Sequence, residues 1–84
     1  MEIRPSAKKH GVSEDDLRHA VAHALYRDYL EDEPPWQVLY LGPDRAANLL
    51  EVVVIERDDG TELAIHAMKM RRGYEELLPP GGQA

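Results

Sequence analysis

The chain reads as one small α+β domain: an N-terminal helix packed on a three-stranded antiparallel β-meander, followed by a short C-terminal helix. Three observations predict this. Apolar residues recur at helical spacing between Ser13 and Leu30. Three strand-like runs then follow between Trp36 and Met68, the middle one rich in β-branched residues. Turn signals separate those runs at Gly42-Pro43-Asp44 and Asp58-Asp59-Gly60.

Each element has its own local reason. Ile3 suits a brief edge strand, and Ser6–His10 a turn of helix stopped by Gly11. Ser13 is a good N-cap, and Glu14, Asp15 and Asp16 place negative charge on the positive end of the helix dipole. Leu17, Ala20, Val21, Ala24 and Leu25 then share one face, which predicts a helix as far as Tyr29 or Leu30. Glu31-Asp32-Glu33-Pro34-Pro35 ends it as a solvated connector. The strands are expected over Trp36–Leu41, Leu49–Glu56 and Thr61–Met68, the second central and buried on much of both faces. Lys69–Leu78 is expected as the short helix, with Tyr74, Leu77 and Leu78 as its apolar contacts. Residues 1–78 form the domain, and residues 79–84 are expected to be a disordered tail.

Bulk properties narrow the function. With 84 residues the core is thin, and with no cysteine there is neither a disulfide nor a thiolate metal site to staple it. A partner protein or a homo-oligomer is therefore expected. Ten Lys/Arg against sixteen Asp/Glu give a net charge of −6, so any RNA contact needs a local basic patch. No apolar run spans a bilayer and Met1–Lys9 lacks a leader's apolar region, so a cytoplasmic protein with no membrane contact is expected. No Gly-rich phosphate loop or nucleophile elbow occurs, and no cofactor is expected.

Lys9-His10-Gly11-Val12-Ser13 opens the acidic-capped helix. Leu50–Ile55, the hairpin and Ile65-His66-Ala67-Met68 run into Arg71-Arg72 and Tyr74-Glu75-Glu76. This order resembles the BrnT-type toxins of bacterial type II toxin–antitoxin systems, over about residues 3–77. The resemblance implies a fold similar to the RelE ribonuclease toxins and an activity that slows growth by cutting RNA. It also implies an antitoxin partner, often with a ribbon-helix-helix part, that neutralises the toxin.

Metal-independent RNA cleavage needs a base, an acid and cations for the charge building on phosphate. His66, Lys9, Arg71 and Arg72 are the catalytic candidates, and His10, Lys69 and Arg45 the candidate RNA contacts. The competing reading is a set of scattered surface charges plus one satisfied strand histidine. Arg45 equally fits an ordinary turn beside Asp44. His19 and His23 are one helical turn apart, a spacing that can clamp zinc, but without the acid of a metalloprotease motif they fit a half-exposed helix flank, so no metal is assigned. His19 is also a second acid/base candidate if it faces His66. Trp36 is either a core-rim residue or an exposed interface anchor. The alternative function is a non-catalytic interaction module on the same fold.

Overall fold

A computed structural model of the chain describes residues 1–80. It is α+β, with one α-helix and a five-stranded mixed sheet in the order β1-β5-β4-β3-β2. The strands are β1 (Glu2–Ile3), β2 (Tyr26–Tyr29), β3 (Trp36–Pro43), β4 (Leu49–Glu56) and β5 (Glu62–Lys69). The helix α1 spans Glu14–Ala22.

The expected meander is the centre of this sheet: β3, β4 and β5 pair antiparallel in sequence order. Two strands extend it. β1 lies parallel to β5, with Ile3 opposite Ala64. β2 lies antiparallel to β3, with Tyr26 opposite Leu41 and Tyr29 opposite Val38. A three-stranded sheet is therefore corrected to five strands, and an antiparallel one to a mixed one.

The helix is shorter than its apolar spacing predicts. Ser13 caps it as expected, its Oγ accepting from the Asp16 N–H at 3.1 Å. It stops at Ala22, with His23 as C-cap, and the Leu25 N–H donates to the Leu41 carbonyl at 2.8 Å. Tyr26-Arg27-Asp28-Tyr29 carries two aromatics, and pairing with β3 wins over a further turn of helix. Leu17 and Ala20 are buried as expected, Val21 and Ala24 half-buried, while Leu25 is 47% exposed. The segment after β5 is also corrected: Arg72–Leu77 is a 3-10 turn, not an α-helix. Tyr74 and Leu78 are half-buried and Leu77 exposed. Of the expected disordered tail, residues 81–84 lie outside the described residues, while Pro79 and Pro80 border an apolar cleft with Leu25, Leu49 and Met70.

α1 lies across β3 and β4 and covers the face formed by Val38, Tyr40, Leu50, Val52 and Val54. Gly42 makes the close approach possible, because a Cβ there would sit 2.2 Å from the Ala20 carbonyl oxygen. Leu39, Leu41 and Glu51 are buried on the opposite face. At the β4–β5 hairpin, Gly60 takes the positive φ (+85°) that its turn signal implied. Among the described residues no helix is long and apolar enough to cross a membrane.

Candidate functional site

The site grows from an irregularity in β5. Pairing of β4 with β5 shifts between Val53 and Val54, so Val53 faces His66 while Val54 faces Ala64, and Ile65 is the extra residue of a bulge. The Ile65 carbonyl accepts from the Ser6 hydroxyl at 2.8 Å, and the Ala64 carbonyl from the Arg4 N–H at 2.9 Å. These bonds pin the Pro5–Lys8 3-10 turn along the outer edge of β5. Gly11, at φ +81°, then turns the chain into α1. His10 is thereby carried to the side of His66, with ring centroids 5.8 Å apart in an edge-to-face arrangement.

His66 is half-buried and lies on the sheet face opposite α1, the same face as Glu51. Glu51 stands in the middle of the most apolar strand and is only 1% exposed. Its Oε1 accepts from the Arg71 backbone N–H at 2.9 Å and from Arg71 Nε at 3.0 Å. Its Oε2 accepts from Arg71 Nη2 at 2.8 Å and from His66 Nε2 at 3.0 Å. Burial alone pushes this carboxyl up, but the Arg71 side-chain and backbone bonds, with the His66 bond, outweigh it and hold it below the usual glutamate range. Glu51 is therefore an ionised acceptor. His66 must therefore donate through Nε2, and its Nδ1 has no hydrogen-bond partner among the described residues.

The other candidate residues differ in what they engage. Arg71 is paired with Glu51, although its side chain is 61% exposed, and its guanidinium stacks over Tyr74 at 5.8 Å. Bidentate contact on the carboxylate makes it a brace for Glu51. Lys69, at the end of β5, and His10 line a polar cleft of about 370 Å³ with Gly11, Asp16 and Asn48. Lys9, Lys69 and Arg72 are exposed and have no ion-pair partner among the described residues. Arg45 is folded back on α1: its Nε donates to Asp16 Oδ1 at 2.8 Å, and its backbone N–H to the same oxygen at 3.1 Å. The Arg45 bonds hold the Asp16 carboxyl well down, at about 2.

His10 and Arg71 thus meet the His66–Glu51 pair, while Lys69, opposite Leu50, lies on the α1 face and Arg45 is engaged elsewhere. His19 donates from Nδ1 to the Pro43 carbonyl at 2.8 Å and packs against the His23 ring, so the imidazole beside His66 belongs to His10. Among the described residues no group of three or more metal-ligating side chains forms around the His19–His23 pair or anywhere else.

No protein-family model matches the chain, and no curated protein or solved structure matches it. The site therefore rests on its own geometry. Glu51 is the residue that sequence reasoning missed. Its signal was present as a lone carboxylate inside Leu49–Ile55, where an unpaired charge is too costly to bury.

Proposed function

We propose that the chain is a BrnT-like toxin acting as a metal-independent endoribonuclease, with His66 and His10 as its acid–base pair. The reading is carried by one observation: an imidazole held by a buried carboxylate, with a second imidazole 5.8 Å away. His66 Nδ1 takes the proton from a ribose 2′-hydroxyl, and the 2′-oxygen forms a bond to the adjacent phosphorus. The bond from phosphorus to the 5′-oxygen breaks, and the His10 imidazolium gives that oxygen its proton. The product is a 2′,3′-cyclic phosphate and a free 5′-hydroxyl. Lys9 and Arg72 are the cations this reading assigns to the phosphate oxygens. Arg71 acts through Glu51, holding the carboxylate that orients His66. A cytoplasmic antitoxin of ribbon-helix-helix type is the partner this reading calls for.

Expression of the wild-type chain should arrest growth and fragment mRNA, and H66A should do neither. Full growth of wild-type-expressing cells with intact mRNA would remove the catalytic reading.

The second reading is an interaction module without catalysis. Two observations favour it: the net charge of −6, and the exposed apolar residues Leu25, Tyr29 and Leu30 around β2. Tight partner binding by H66A, with no RNA cleavage by either form, is its signature.

A further inference from the structure

β2 and the start of β3 carry a second surface. Tyr29 and Leu30 are 45% and 43% exposed. The Tyr29 ring meets the Trp36 ring edge-on at 5.7 Å, and Pro34 and Pro35 extend the apolar area. A cleft of about 310 Å³ runs from Trp36 and the two prolines to Asp58 at the β4–β5 hairpin. Two cations border the surface and both are engaged: Arg27 is paired with Glu56 and also donates to the Tyr40 hydroxyl, and Arg57, which lines the cleft, is paired with Glu2. The rim is acidic. Glu31, Asp32, Glu33 and Asp58 are exposed and have no ion-pair partner among the described residues.

We infer that this aromatic patch docks an arginine- or lysine-rich segment of another protein, anchored by an apolar side chain. The apolar residues mark the surface, and the rim selects the occupant. Two copies meeting here would set the same carboxylates against each other, and a nucleic acid would meet them with its phosphates. A cationic segment finds carboxylates for its charges and the Trp36 ring for cation–π contact, Arg27 already lying over the Tyr29 ring at 5.4 Å. Recognition is through side chains rather than by adding a strand to the β2 edge, because the Tyr29 N–H already donates to Asp28 Oδ1 at 2.8 Å. Strand alternation places Trp36 and Glu56 on the face opposite His66, so the inference stands whether or not His66 cuts RNA.

Trp36 is the only tryptophan, so its emission reports occupancy directly. The full chain would be titrated with a short synthetic peptide carrying arginines and leucines in a glycine-serine spacing. The same titration would be run on E31Q/D32N/E33Q and, as a control for general acidity, on E75Q/E76Q. A saturable shift in Trp36 emission is expected. Binding should weaken about tenfold in the first variant, stay unchanged in the second, and fall steeply with added salt. The inference is overturned by a flat titration, by equal weakening in both variants, by an equal response to a peptide with glutamate in place of arginine, or by emission shifts produced by RNA or by raised protein concentration alone.

Discussion

Glu51 shows how much a single residue can organise. A carboxylate placed mid-strand at 1% exposure survives only because Arg71 and His66 together fill both of its oxygens. Its folded pKa lies below the ordinary glutamate value near 4.5. The sign follows directly: the stabilisation is fully present above that value and is lost as pH falls through the lower, folded value. E51Q should therefore be less stable at pH 7 by about 1.5–3 kcal/mol, the size of hydrogen bonds to a charged group. The gap to wild type should narrow as pH falls below the ordinary glutamate value near 4.5. Denaturant melts of both proteins between pH 3 and 7, at about half-unit steps, check this; a gap constant with pH would contradict it. Histidine and arginine were legible at this scale by residue type alone. Their shared partner was not, because a period-2 apolar pattern records which face a residue is on and not what it meets there.

At the scale of elements, the helix N-terminus was legible to the residue, since Ser13 and the acids behind it act locally. S13A should cost about 1 kcal/mol, read as a lower melting temperature with an unchanged denaturant slope. The C-terminus was not legible. Ala24 and Leu25 continue the apolar spacing, and only the Leu41 carbonyl and the β3 ladder convert the chain to strand. The same contact surface makes Gly42 critical. In G42A the new methyl meets Ala20 and Ala24 backbone, at 2.2 Å from the carbonyl oxygen and 3.0 Å from the Cα, and neither can rotate away. α1 must lift off β3, and a loss of about 1–3 kcal/mol is expected. A melting temperature within a degree of wild type would show that α1 does not pack as described. The bulge at Ile65 is likewise invisible in the sequence, yet with Ser6 it fixes where His10 arrives.

For the whole molecule, the α+β class and the central meander could be read from the sequence, because three apolar strands with turn signals leave few ways to bury themselves. Of the outer strands, β1 was expected as a brief edge strand at Ile3 but without its parallel pairing, and β2, with four residues, is too short for a periodic signal. The charge distribution follows from the same layout. A net charge of −6 coexists with the basic residues at the end of β5, and six of the sixteen acids lie in α1 and in the connector before β3. Cation pairing also sorts the candidates: Arg45 and Arg71 answer carboxylates, while Lys9, Lys69 and Arg72 have no ion-pair partner among the described residues. RNA engagement at that end should therefore be weak in affinity and strongly salt-dependent. The central claim is that His66, oriented by Glu51, performs acid–base cleavage of RNA. The most direct measurement is the 3′-end chemistry of a short RNA incubated with purified chain in a metal chelator. The account predicts 2′,3′-cyclic phosphate ends from wild type, at least about 100-fold fewer from H66A, and an intermediate yield from E51Q. Intact RNA with the wild-type chain, or equal cleavage by H66A, would contradict it.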